Sequence, residues 1–153
     1  MKRRSEVNNM NKIILSILTV IMLTGCNKSL NDPLSQLRGK VIVNSEQYTM
    51  ILSDYESKED PVQFISKHSS DINEIAELFD TLKVEKGTLF TFDINSNPSS
   101  ITVTKLNEDG TTDLVETKDN EITMPLESGY YIYELITIGS EGQQTFVFDV
   151  GVE

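Results

Sequence analysis

The chain has 153 residues, of which 13 are Lys or Arg and 24 are Asp or Glu, for a net charge of −11 at pH 7. That length points to one folded domain with appendages, and the acidity excludes a surface built to neutralise nucleic-acid phosphates or to lie flat on anionic lipid. A single cysteine rules out a disulfide within the chain, so the fold must rest on a packed core.

Residues 1–12 hold four cations, Lys2, Arg3, Arg4 and Lys12, and residues 13–23 read IILSILTVIML, apolar except for Ser16 and Thr19. A run of that length fits the core of a cleavable secretory leader and falls short of the ~20 residues a spanning helix needs. Translation from Met1 or from Met10 leaves a basic flank in either case. The run closes on Leu23-Thr24-Gly25-Cys26, which resembles the lipobox of bacterial lipoproteins. The resemblance implies that the Cys26 thiol receives a diacylglycerol, that Leu23, Thr24 and Gly25 are read by a dedicated signal peptidase, and that residues 1–25 are removed. Two acyl chains anchor stably where one binds only marginally. The expected location is therefore the extracytoplasmic face of the cell membrane, with no spanning helix and no cofactor besides the covalent lipid. Asn27, where an aspartate commonly retains lipoproteins at an inner membrane, permits outer-membrane sorting in a two-membrane cell.

Residues 1–25 hold four of the 13 basic and one of the 24 acidic residues, so removing them leaves 128 residues with a net charge of −14. Residues 26–39 are polar, contain Pro33 and show no periodicity, which predicts a flexible tether. The globular body is then expected over 40–153.

In chain order, KVIVNS and QYTMILS read as short strands around a turn at Asn44-Ser45-Glu46. The polar stretch 54–68 reads as loop, with a short helix around 62–66. Ile72, Ile75, Ala76, Phe79 and Leu82 recur at three- and four-residue spacing, and Ser70 or Asp71 can cap them, which predicts an amphipathic helix over 71–82. Past Gly87 the period becomes two. Phe90, Phe92 and Ile94, then Ile101 and Val103, then Ile122, Met124 and Leu126, then Phe146, Phe148, Val150 and Val152 each alternate with polar residues. Turn chemistry separates the runs at Asn95-Ser96-Asn97-Pro98, Glu108-Asp109-Gly110 and Glu141-Gly142. The expected fold is mainly β, an antiparallel sandwich with strands mainly over 84–153 and one helix, with α+β as the second choice.

The segment MPLESGYYIYELITIGSEGQQTFVFDV is similar to the last strands of bacterial immunoglobulin-like and fibronectin type III modules. The resemblance implies a corner shaped by Pro125 and Gly129, with either Tyr130 or Tyr131 bonding local backbone through its hydroxyl. Tyr130, Tyr131 and Tyr133 lie on one strand apolar on both faces, which reads either as a strand buried on both sides or as a candidate recognition surface.

Residues for chemistry are few. His68 is the one histidine, set among Ser66, Lys67, Ser69 and Ser70, and without a second histidine or a free thiol the usual metal and cysteine-hydrolase sets are missing. Asp93, Asn95 and Asn97 have the alternating oxygens that open an EF-hand loop, but Pro98 stands where glycine is required and Thr104 where the final glutamate belongs. The acidic stretch 54–60 offers carboxylates to a cation or a basic partner, and the lack of tryptophan removes the usual sugar-stacking platform. The reading these residues favour is a membrane-tethered, non-enzymatic module that binds a protein or an envelope component. The alternatives are a small envelope hydrolase using His68 and a minimal carrier of a small ligand or Ca²⁺.

Overall fold

Alternating apolar residues can cover a core only if the strands carrying them lie in two layers, and that is the arrangement found. The computed structural model describes residues 37–58, the backbone of 64–66, and residues 71–107, 109–140 and 142–153, all within the compact unit Pro33–Glu153. Sheet one has the strand order β2-β1-β6-β9, from β1 (Gly39–Val43), β2 (Glu46–Thr49), β6 (Leu89–Ile94) and β9 (Glu121–Thr123). Sheet two runs β4-β3-β11-β10-β7-β8, from β3 (Ile51–Ser57), β4 (Phe64–Ser66), β7 (Ser100–Leu106), β8 (Thr112–Val115), β10 (Gly129–Ile138) and β11 (Gly142–Val152). A short β5 (Leu82–Val84) pairs in parallel with the end of β11. Every other pairing is antiparallel. The chain crosses between sheets from β2 to β3, β5 to β6, β6 to β7, β8 to β9 and β9 to β10, and the last three crossings make the Greek-key path of an immunoglobulin-like sandwich.

The core lies between the layers. Val41, Val43, Phe90, Phe92, Ile94 and Ile122 of sheet one face Val103, Tyr133, Leu135, Phe146, Phe148 and Val150 of sheet two. Phe148 is its centre, with ring centroids 5.1 Å from Tyr133, 5.9 Å from Phe92, 6.2 Å from Phe90 and 6.3 Å from Phe79.

Four expectations about elements need correction, besides Leu126, which is 76 % exposed past the end of β9 instead of continuing the inward alternation of Ile122 and Met124. The regular helix, α1, covers only Ile72–Ala76, and it is capped by Asp71, whose side chain accepts from Asn73 N–H at 2.9 Å. Beyond Ala76 the turns tighten, with Leu78 N–H bonding Ile75 C=O and Phe79 N–H bonding Ala76 C=O. The reason is that the apolar stripe serves two cores. Ile75 and Ala76 cover Ile132 and Val147 on the back of sheet two, whereas Phe79 and Leu82 enter the sandwich. The chain must round the edge of β11 between them, and a straight helix through residue 82 cannot do so.

The body also begins before residue 40. Leu37 is buried, Gly39 pairs with Ile94, and Arg38 N–H donates to Asn95 Oδ1 at 2.9 Å. The run QYTMILS is two strands rather than one, because the chain leaves sheet one at buried Met50 and enters sheet two as β3. Lastly, residues 54–57 continue β3, and Phe64–Ser66 forms β4 against it where a loop and short helix were expected.

Two backbone details hold the strands in register. Asn44 and Ser45 both have positive φ, the two-residue hairpin turn whose twist matches its strands. The β3–β11 ladder shifts at Thr145, leaving Ser53 as a bulge residue whose hydroxyl donates to the Thr145 carbonyl at 3.1 Å. Opposite that edge, Gly142 is obligatory: its φ is +146° and a Cβ there would sit 2.0 Å from the Glu56 carbonyl oxygen.

Emptying the centre should be costly. Phe148→Ala is expected to lower stability by about 3–5 kcal/mol in urea unfolding. Leu78→Ala, at an exposed position next to buried Phe79, should change it by about 0.5 kcal/mol or less. A large Leu78 effect would contradict the split of the helical stripe.

Candidate functional site

Cys26, Leu23, Thr24, Gly25 and His68 lie outside the described residues. So does the end of the acidic stretch, Glu59 and Asp60, whereas Asp54 and Glu56 lie in β3. In the Asp93 loop the Asn95 carboxamide is engaged by Arg38 N–H, while Asp93, Asn97 and Pro98 line a small cleft of about 190 Å³. Among the described residues no group of three His, Cys, Asp or Glu side chains is placed to hold a metal ion.

The three tyrosines of β10 go to three places and do not form one surface. Tyr133 is 1 % exposed and stacks on Phe148, so it belongs to the core. Tyr131 is the residue whose hydroxyl bonds local backbone, donating to the Glu127 carbonyl at 3.1 Å. A Cβ at Gly129 would lie 3.2 Å from that hydroxyl, so the glycine makes room for the ring. Lys105 Nζ lies 5.6 Å from the Tyr131 ring centroid and 3.8 Å from Asp113. Tyr130 is 57 % exposed on the back of sheet two.

Alternation marks Asp149 as an outward residue of β11, yet it is 1 % exposed. It stands where the outer edge of β11 passes from β3, last paired at Val147, to β5, first paired at Val150. Thr81 Oγ1 donates to its Oδ2 at 2.7 Å, while Oδ1 has no hydrogen-bond partner among the described residues. Tyr130 keeps its proton well above the ordinary phenol range. Burial is the main cause, followed by the neighbouring Asp149 carboxylate and the negative charge of Glu77.

Nearer the middle of β10, Glu134 is half-buried opposite Val147 and Thr104. Burial, and then the charge of Asp54, raise its carboxyl above the ordinary value of 4.5.

A concavity lies where both sheets end. Sheet two stops at β8 and sheet one at β9. The connection closes in a tight turn: Asp119 and Asn120 both have positive φ, and Lys118 and Glu121 exchange backbone hydrogen bonds of 3.1 and 2.9 Å. Between the two edges is an open groove of about 520 Å³, walled by Leu89, Val115 and Ile122. Glu116, Asp119 and Glu121 rim it against one cation, Lys118. Beside it Leu114 is 75 % exposed. Composition could not reveal this groove, because it depends on which strands end the sheets.

No protein-family model matches the chain, and no curated protein matches it. Among solved structures it is similar to Bacillus amyloliquefaciens CBM33 in complex with Cu(I) after photoreduction, at 15 % sequence identity and a TM-score of 0.39. The match covers 60 % of this chain and 65 % of that one.

Two substitutions probe these positions. Tyr131→Phe removes a local hydrogen bond and should cost about 1 kcal/mol in urea unfolding, with the fold retained by circular dichroism. For Glu134 the folded state binds the proton more tightly than the unfolded state, so its stability contribution is lost as pH rises through the raised folded value. Glu134→Gln should therefore stabilise the protein at neutral pH and make no difference below the ordinary carboxyl range. Equal unfolding midpoints for the two proteins at neutral pH would contradict the raised carboxyl.

Proposed function

We propose that this chain is a bacterial lipoprotein, held on the extracytoplasmic face of the membrane by a diacylglycerol on Cys26. Its β-sandwich body acts there as a non-enzymatic binding module for a protein or envelope component. The observation that carries the reading is Leu23-Thr24-Gly25-Cys26 placed after a basic flank and the apolar run at 13–23. The folded body gives further support. Leu37, the first described residue of the body, is about ten residues past Cys26, and a segment of that length read from its sequence as a tether would span roughly 15–20 Å. The Debye length at physiological salt is about 8 Å. An acidic body on such a tether stands clear of most of the repulsion from anionic headgroups. The β8–β9 rim supplies a concave surface with exposed apolar residues, the kind of patch that marks an interaction site.

Metabolic labelling with radioactive palmitate tests the anchor. The native protein should take up label and mature to a shorter form, and Cys26→Ala should do neither. An unlabelled native protein, or a Cys26→Ala variant processed and labelled like the native one, would rule the lipoprotein reading out.

A further inference from the structure

We infer that the rim between β8 and β9 accepts an extended, basic segment of another polypeptide as an added strand. The proposal rests on reading the body as a binding module, but not on the lipid anchor.

The first argument is the open edge. In the β7–β8 hairpin Asn107 N–H bonds the Thr111 carbonyl at 2.8 Å. Bonded and non-bonded pairs alternate along an antiparallel ladder, so the main-chain groups of Thr112 and Leu114 point away from β7. Among the described residues no strand pairs with that side. Natural edges are commonly protected by forward-facing charge. Here Asp113 is drawn to Lys105 at 3.8 Å, and the residue left most prominent on the strand is Leu114.

The second argument is the floor beside that edge. An incoming strand repeats every two residues. Side chains on its inner face would continue the level of Val115 and enter the groove against the exposed Leu89, while those on its outer face would lie beside Leu114. Main-chain hydrogen bonds then supply affinity, and alternate side chains supply selectivity, as in other strand-addition complexes.

Charge decides the occupant. Glu116, Asp119 and Glu121 against Lys118 leave the groove net negative on a chain of net charge −11. A second copy of this chain would bring the same acidic rim into contact with itself, a like-charge pairing that costs energy. A segment in which Lys or Arg alternates with apolar residues satisfies the edge, the floor and the charge together.

The test uses the full chain, ¹⁵N-labelled, in nonionic detergent micelles. The probes are synthetic peptides of about eight residues alternating lysine and valine, matching a strand of ordinary length. Amide shifts confined to residues 112–116 and 121–123 are expected, with binding that weakens as salt shortens the Debye length. A Glu116→Lys, Glu121→Lys double variant, changed only at exposed or half-exposed positions, should bind at least about tenfold more weakly. The same peptide methylated on alternate backbone nitrogens should lose binding. The proposal is overturned by a glutamate-valine peptide binding equally well, by a methylated peptide binding unchanged, or by sedimentation showing copies paired through this rim. Unmoved rim amides would also overturn it, yet would leave the anchor to the Cys26→Ala labelling, in which β8 plays no part.

Discussion

Strand β11 is the constraint from which the rest follows. It is paired on both edges along most of its length, with β10 on one side and β3 then β5 on the other. It is also covered on both faces, with Phe146, Phe148, Val150 and Val152 in the sandwich core and Val147 beneath α1. A strand so enclosed has no freedom of register, because a slip of one residue would exchange its two apolar sets. The bulge at Ser53 and the glycine at 142 are adjustments by which β3 keeps in step with it. The division of the α1 stripe has the same origin. Segments that reach both the back of sheet two and the core must bend around the outer edge of β11.

That edge has a seam at Asp149. Antiparallel β3 ends its pairing just before it and parallel β5 begins just after, so no strand runs continuously past it. A buried carboxylate is costly unless hydrogen-bonded, and here Thr81 on the approach to β5 supplies one bond while the second oxygen goes without. Tyr130, with its proton retained beside that carboxylate, ties the exposed back of the sheet to the seam. These polar groups therefore mark where two differently directed strands meet one neighbour.

The alternating runs at Phe90, Phe146 and, as far as Met124, Ile122 were legible because their apolar residues enter a single core, so period two in sequence is period two in space; Leu126 continues the period but lies exposed past the end of β9. Legibility failed where one apolar run serves two environments. Ile75, Ala76, Phe79 and Leu82 have helical spacing whether or not the helix continues, and only the edge of β11 says that it stops. QYTMILS looks like one strand because nothing local marks Met50 as the crossing point between sheets. Along β10 both faces are apolar, so the spacing of Tyr130, Tyr131 and Tyr133 could not say which ring is core, which is corner and which is exposed. The groove was illegible for a topological reason. Its walls Leu89, Val115 and Ile122 come from three strands whose neighbourhood is a product of the Greek-key path.

The same path sets the groove apart from the point where the chain enters the body. Gly39 pairs with Ile94, and Arg38 is fastened to Asn95, so the chain arrives at the Ile94 end of β6. Leu89, at the other end of that strand, is a wall of the groove. Five residue steps separate them, roughly 17 Å at the usual strand rise, about twice the Debye length at physiological salt. If the segment before Leu37 leads to a membrane, that entry point and the groove lie at opposite ends of the strand that receives it. The acidic rim would then face a basic partner with little interference from anionic headgroups. The net negative charge that forbids the body to lie on the lipid would at the same time favour encounter with such a partner, since complementary charge acts chiefly on the rate of approach. Anchor, acidity and groove position are thus consistent with one another without any contact between the body and the bilayer.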